Sequence, residues 1–183
     1  VALTRRDLLL ADKVIKSDDR LDTLERQIEE RAILTIAKRQ PMALDLREIM
    51  VAIRVASDIE RIGDLAKNTA KRTRAISEPL PRRLSSGLVR MGAMAQAQLK
   101  NILDAYSRKD EARAMQVWRA DEDLDALFNS IFRELLTYMM EDPRNISMCT
   151  HLLFGTKNLE RIGDHTTNIA ENTYFLINGR TLV

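Results

Sequence analysis

The sequence contains an internal repeat, and this repeat is the feature that most restricts its fold. The pentapeptide Glu-Arg-Ile-Gly-Asp occurs at residues 60–64 and again at residues 160–164. Upstream the similarity continues with an offset of 103 residues: Ala11, Val14, Asp18, Leu21, Asp22, Leu24 and Ile28 correspond to Ala114, Val117, Asp121, Leu124, Asp125, Leu127 and Ile131. Self-similarity at a fixed offset predicts two copies of one structural unit that pack as neighbours.

Both copies are predicted to be α-helical. Hydrophobic residues make up 45% of the 183 residues but aromatic residues only 4%, and there are six glycines and four prolines. Strands favour β-branched and aromatic residues between turn residues, so this composition, with apolar residues at helical spacing, favours helices. Helices are expected over about residues 7–39, 44–76, 84–107, 110–140 and 147–178, with prolines 41 and 143 between neighbouring helices.

The order of the helices predicts the domain organisation. The second copy contains three helices, one before Ser107, one before Pro143 and one after it. By symmetry the first helix of the first copy lies before Val1, and only its tail is present. We therefore predict an all-α fold of two tandem pseudo-symmetric three-helix bundles, the first lacking most of its N-terminal helix in this chain. The first repeat is assigned to residues 1–78 and the second to residues 79–183, with a linker at residues 77–81.

Charge and cysteine content narrow the possible classes of function. The chain has 29 basic and 27 acidic residues, a net charge of +2, which argues against a nucleic-acid-binding protein. Cys149 is the one cysteine and cannot form an internal disulfide, which favours a reducing compartment. No run of about 18 apolar residues occurs, so no membrane-spanning helix is expected.

Each repeat carries two pairs of acidic residues at i, i+4 spacing. The eight candidate metal ligands are Asp18, Asp22, Glu60 and Asp64 in the first repeat and Asp121, Asp125, Glu160 and Asp164 in the second. Residues four apart share a helix face, and like charges at this spacing destabilise a helix by about 0.2–0.5 kcal/mol. A single pair is normally a solvated face, but four matched pairs indicate a role other than stability. The matched glycines Gly63 and Gly163 predict a close approach of neighbouring helices.

The acidic pairs of each repeat are expected to meet on the bundle surface, in the groove between two adjacent helices. Glu60, Asp64 and Asn68 form a stripe on the side of the helix opposite Val55 and Ile62. Four carboxylates close together repel one another unless cations offset their negative charge. Oxygen ligands suit Mg²⁺, Ca²⁺ or Mn²⁺, and carboxylates also bridge iron or zinc.

The second cluster is expected to bind metal better than the first. Its bundle is complete, which fixes the distance between the acidic helices, and preorganised ligands bind more tightly. It is also flanked by Glu171 where the first repeat has Lys71. His165 could add a nitrogen ligand, but its counterpart in the first repeat is Leu65, which argues against that role.

The segments Asp58-Ile-Glu-Arg-Ile-Gly-Asp-Leu-Ala-Lys-Asn68 and Asn158-Leu-Glu-Arg-Ile-Gly-Asp-His-Thr-Thr-Asn-Ile-Ala-Glu171 resemble the signature segments of the PhoU family. The resemblance covers essentially the whole chain. It implies a non-enzymatic, cytoplasmic negative regulator of the phosphate regulon, which couples the ATPase of the phosphate ABC transporter to a phosphate sensor histidine kinase. It also implies that the eight carboxylates bind a divalent or multinuclear metal, such as iron, zinc, manganese or magnesium.

Two other functions remain open, a carboxylate-bridged metalloenzyme and a purely structural helical scaffold. Ferritin-like enzymes use Glu-x-x-His motifs inside a four-helix bundle, and the sequence has no such motif. Self-association as a homodimer or higher oligomer is also expected, because the incomplete first bundle leaves Leu10, Val14 and Leu21 short of a partner. No nucleic acid is expected as a partner, and the membrane is expected to be reached only through partner proteins.

Overall fold

The computed structural model describes residues 1–76 and 80–182, and within these residues it is helical and contains no strand. Six α-helices follow one another: α1 (Ala2–Arg5), α2 (Leu8–Arg39), α3 (Ala43–Lys71), α4 (Arg82–Arg108), α5 (Glu111–Glu141) and α6 (Ile146–Asn178). Short 3₁₀ turns follow α3 at Arg72–Ala75 and precede α6 at Pro143–Asn145. The predicted all-α fold is confirmed. Of the predicted linker, residues 77–79 lie outside the described residues.

The helix starts come from local signals that the two repeats share. Asp7 caps α2 by accepting a hydrogen bond from the Leu10 N–H at 2.9 Å. Its counterpart Asp110 caps α5 by accepting one from the Arg113 N–H at 3.0 Å. A carboxylate at this position satisfies an amide that the helix leaves unpaired and interacts well with the helix dipole. Helix α6 ends at Asn178 and is capped by Gly179, whose φ of 70° is a conformation that glycine adopts without strain.

Helices α3 and α6 form the centre of the molecule and pack against each other across the two repeats. On the outside, α2 packs on α3 in the first repeat, and α5 packs on α6 in the second. Helix α4 packs on both α5 and α6 and completes a three-helix bundle. In the first repeat the third position holds only the short α1, which contacts α2, α3 and α4. The second bundle is therefore complete, and the first is the predicted incomplete version of it.

The apolar core is uneven because of this arrangement. The largest fully buried apolar side chains are Leu84, Met91, Ile102, Leu124, Leu135, Leu152, Ile169 and Val51, and only Val51 belongs to the first repeat. On α2 the buried apolar residues are the alanines Ala11 and Ala32. The residues predicted to lack a partner, from Leu10 to Leu21, are half-buried instead, and the more exposed residues Leu24 and Ile28 lie further along α2.

Polar side chains also link the two repeats along α3 and α6. His165 Nδ1 lies 2.9 Å from Asp58 Oδ1, and Asn158 Nδ2 donates to Thr69 Oγ1 at 3.2 Å. One ring nitrogen of His165 is therefore engaged by the first repeat. None of the helices in the described parts of the chain combines the length and apolar character needed to cross a membrane.

Candidate functional site

The eight predicted carboxylates lie in two clusters, each along a pair of packed helices. The first acidic cluster (Asp18, Asp22, Glu60 and Asp64) lies on α2 and α3, and the second acidic cluster (Asp121, Asp125, Glu160 and Asp164) lies on α5 and α6. Within each cluster the charges act on one another. Burial raises the pKa of Glu60, Arg61 opposes the rise, and Asp64 and Asp22 add to it. The structure therefore places each predicted set along one pair of packed helices, without joining it into a single site.

The inner carboxylates of both clusters lie deeper than the predicted surface position. Asp18 is only 3% exposed, and the side chains of Glu60 and Glu160 are 15% and 13% exposed. Asp125 and Asp164 are exposed, in agreement with the prediction. The inner residues therefore lie deep in the groove between the two helices, and the exposed aspartates lie at its outer side.

A glycine opposite each inner aspartate explains this depth. A Cβ atom on Gly163 would lie 2.6 Å from Asp121 Oδ1 and 2.5 Å from Leu124 Cδ2. A Cβ atom on Gly63 would lie 3.1 Å from Asp18 Oδ1 and would clash with a methyl group of α2. Because glycine has no side chain, the aspartate can lie directly over the backbone of the neighbouring helix. The predicted close approach of the helices at both glycines is confirmed.

The first acidic cluster is neutralised from within by Lys67. The Lys67 ammonium donates to Asp18 Oδ2 and, at 3.0 Å, to Asp64 Oδ1, so that it bridges α2 and α3. These hydrogen bonds raise the pKa of Lys67 and keep the side chain charged. Arg61 lies 3.5 Å from Glu60 and 3.8 Å from Asp64 and adds a second positive charge. A metal ion does not fit this cluster as it stands, because the ammonium already holds the inner carboxylate.

The second acidic cluster has no corresponding ammonium, because the counterpart of Lys67 is Thr167. Burial, with the nearby charge of Asp125, raises the pKa of Asp121 to about 6, although a hydrogen bond from Thr167 lowers it in part. The Thr167 hydroxyl has a single proton, and the Gly163 carbonyl oxygen, 3.2 Å away, competes for it. Asp121 is therefore a poorly compensated carboxylate.

Buried oxygen atoms without a donor gather around the second cluster. Within the described residues, Asp121 Oδ1, Glu160 Oε2 and Gln98 Oε1 have no hydrogen-bond partner. The other oxygen of Glu160 pairs with Lys157 at 2.5 Å, and the Gln98 amide donates to the Ala120 carbonyl at 3.0 Å. Buried acceptors without donors are costly, and a bound cation satisfies several of them at once. This oxygen-rich set fits a hard divalent cation.

The side chains of the second cluster do not converge on one point in this structure. Across residues 1–76 and 80–182, no three His, Cys, Asp or Glu side chains form a group that could hold one metal ion. Binding an ion here therefore requires the exposed side chains of Asp125 and Asp164 to turn toward the inner pair, at some cost in rotamer entropy. The cluster is an open, negatively charged groove and not a preformed cage.

Sequence reasoning missed three residues that shape the clusters: Lys67 in the first, Gln98 over the second, and Glu25, whose charge adds to the rise in the pKa of Glu60. The signal for Lys67 was available, since aligned positions 67 and 167 differ in charge. The first cluster is more positively charged than the second, as expected, but the positive charge comes from Lys67 and not from Lys71. Lys71 lines a separate pocket.

Comparison with known proteins identifies the family. A family model described as the PhoU domain matches residues 1–73 and 88–173. The phosphate-specific transport system accessory protein PhoU homolog of Rhizobium meliloti (strain 1021) is 58% identical over 179 residues, which are 97% of this chain and 76% of that protein.

Two solved structures are similar to this one. PhoU from Pseudomonas aeruginosa is 38% identical with a TM-score of 0.93, and the match covers 98% of this chain and 86% of that one. The phosphate transport system regulatory protein PhoU from Streptococcus pneumoniae is 26% identical with a TM-score of 0.91, and the match covers 100% of this chain and 86% of that one. With two helix bundles, two matched acidic clusters and these relatives, the chain belongs to the PhoU family.

Proposed function

We propose that the chain is a non-enzymatic negative regulator of the phosphate regulon. Its membership of the PhoU family carries this proposal. The Rhizobium meliloti relative is named as an accessory protein of phosphate-specific transport, and the Streptococcus pneumoniae relative as a regulatory protein of the phosphate transport system. In this proposal the chain acts in the cytoplasm, couples the ATPase of the phosphate ABC transporter to a phosphate sensor histidine kinase, and reaches the membrane only through these partners.

The shape of the molecule supports an adaptor role. The outer helices α2 and α5 contain 32 and 31 residues, so each is about 45–50 Å long. Faces of this length offer room for two partners, since a standard protein interface takes about 800 Å² from each partner.

A reporter experiment tests the regulatory role. In bacteria that lack this chain, a reporter gene under phosphate-starvation control should be active even in phosphate-rich medium, and restoring the chain should repress it. Co-purification of the chain with the transporter ATPase and with the histidine kinase then tests the two partners separately. An unchanged reporter in phosphate-rich medium would exclude negative regulation.

We also propose that the second acidic cluster binds a divalent cation. The unpartnered oxygens of Asp121 and Glu160 support this proposal, as does the threonine at position 167. Oxygen ligands favour magnesium or manganese, and bridging carboxylates also accept iron or zinc. A bound divalent ion would offset part of the negative charge of the groove and link α5 to α6.

Paired substitutions test the metal proposal. Manganese is titrated into metal-free protein carrying Glu160→Ala with Asp164→Ala, and into the matched first-repeat variant carrying Glu60→Ala with Asp64→Ala. We expect only the second-repeat variant to lose the ion, and elemental analysis of untagged protein identifies the natural metal. If both variants bind as much manganese per chain as the unmodified protein, the carboxylates of both clusters only form a solvated helix face. If only the first-repeat variant loses the ion, the ranking of the clusters is wrong.

A further inference from the structure

A polar pocket of about 470 Å³ lies where the end of α3 meets the N-terminal half of α6. It contains none of the eight acidic-cluster residues. Its lining residues are Asn68, Lys71, Arg72, Ala75, His151 and Asn158. No acidic residue is among them, and every one except the alanine carries a side-chain nitrogen that can donate a hydrogen bond. The pocket is thus built of donors and carries two formal positive charges.

Arg72 is held in position in this pocket but is not satisfied. Its guanidinium carbon lies 4.4 Å from the centroid of the Phe154 ring, which is a cation–π contact. Arg72 Nη1 lies 3.5 Å from His151 Nδ1, and Arg72 Nε is buried without an acceptor. This contact is favourable when His151 Nδ1 carries no proton and accepts from Arg72. The ring proton of His151 then lies on Nε2, which can donate to a further acceptor.

Carboxylates do not neutralise this pair of cations in the described part of the chain. Neither Lys71 nor Arg72 has an ion-pair partner there, whereas the neighbouring Arg74 is paired with Asp12 at 2.6 Å. Arginine presents donors in a planar fork that matches phosphate oxygens, and charge-assisted hydrogen bonds of this kind are roughly twice as strong as neutral ones. Within the described residues the buried Nε of Arg72 has no acceptor.

Basic residues at a helix C-terminus also have a purely structural use, since they interact favourably with the helix dipole. This use explains positive charge near the end of α3, but it does not explain a buried guanidinium nitrogen without an acceptor. The counterparts in the second repeat are Glu171 and Asn172, inside α6, so the repeat does not reproduce the pocket.

We propose that this pocket binds a doubly charged phosphate group, either free inorganic phosphate or a phosphoryl group of a nucleotide. Lys71 and Arg72 balance the two negative charges, and Asn68, His151 and Asn158 donate to the remaining oxygens. Because the pocket is lined by both α3 and α6, the bound anion joins the two repeats. This ligand is separate from the cation of the second acidic cluster, and the proposal does not rest on the regulatory function.

Calorimetric titration of the whole chain with inorganic phosphate, in a phosphate-free buffer containing a chelator, tests the proposal. Arg72→Gln and Lys71→Gln each remove one cation of the pocket, and Arg90→Gln is the matched control at an exposed arginine on α4. Loss of a charged hydrogen-bond donor should weaken phosphate binding about tenfold or more, and the control should bind as the unmodified chain does. Since Lys71 is exposed, its variant remains informative if Arg72→Gln does not fold.

Parallel titrations with ATP distinguish the two sources of the phosphate group. Tighter binding of ATP that is lost in both pocket variants assigns the pocket to a nucleotide, and binding of phosphate alone assigns it to the free anion. Absence of binding for both ligands at millimolar concentration would overturn the proposal. An equal loss of affinity in Arg90→Gln would also overturn it, because the attraction would then be a general effect of charge.

Discussion

At position 67 a lysine neutralises the first acidic cluster, whereas the matching position 167 carries a threonine. We expect Lys67→Thr to add one divalent-ion site to the chain, because it leaves Asp18 buried without its counter-charge. The reciprocal Thr167→Lys should place an ammonium beside Asp121 and remove the ion from the second cluster. Stoichiometry from manganese titration measures both effects.

Lys71→Thr is the matched control for this exchange, because it removes the same charge from the same helix without touching either cluster. In the presence of chelator, Lys67→Thr should also melt at a lower temperature than the control. If Lys67→Thr and Lys71→Thr bind the same amount of manganese as the unmodified chain, Lys67 does not exclude metal.

The residues of the candidate site were predictable only in part. The repeat identified all eight carboxylates, because i, i+4 spacing places them on one face of each helix. Their depth was not predictable, since it depends on how closely Gly63 and Gly163 let the helices approach. The role of Lys67 depends on a side chain that reaches across the groove to Asp18, a contact between residues 49 positions apart.

The two helix crossings should be sensitive to any added atom at their glycines. Gly163→Ala would place a methyl group 2.5 Å from Leu124, a side chain with 0% exposure, and 2.6 Å from Asp121. Overpacking of this kind costs about 1–3 kcal/mol, more than alanine gains over glycine in helix propensity. We expect a lower urea midpoint for Gly163→Ala.

Gly92→Ala on α4 is the control for this prediction, since a Cβ atom there meets nothing within 4 Å. It should stabilise the protein by up to about 1 kcal/mol through helix propensity alone. Equal gains of stability at both positions would mean that the helices separate easily at Gly163, and that the aspartate above it is not held by packing.

Helix ends were predictable where a cap residue marks them and less so elsewhere. Asp7, Asp110 and Gly179 gave correct boundaries because each satisfies backbone groups locally. The end of α3 was predicted at Ile76, but the helix ends at Lys71 and a 3₁₀ turn follows. Arg6 donates to the Ile76 carbonyl at 3.1 Å, so a tertiary contact with the start of the chain helps set the path of the backbone there.

At the scale of the whole molecule, the two repeats differ mainly in what covers their outer helices. The repeat pattern predicted both helix bundles, because it aligns α2 with α5 and α3 with α6. It did not predict that α3 and α6 would form the centre. Contacts between them, such as that of His165 with Asp58, pair residues that are not equivalent in the alignment.

Two exposed apolar residues on α2 lead to a prediction about assembly. Leu24 and Ile28 on α2 are 43% and 38% exposed. Their counterparts Leu127 and Ile131 are more deeply buried, and Ile131 packs beneath α4 at Gly87. The first repeat therefore exposes an apolar stripe that its twin covers with a helix.

We expect a second copy of the chain to cover this stripe, because exposed apolar surface drives association and identical chains are always available to one another. Sedimentation velocity should show a species heavier than one chain at micromolar concentration, and Leu24→Gln with Ile28→Gln should shift it toward the single chain. Val89→Gln with Leu136→Gln is the matched control, because these exposed apolar residues belong to the complete bundle. The control should assemble as the unmodified chain does. A single-chain species for the unmodified protein at every concentration would show that the stripe is left open to solvent.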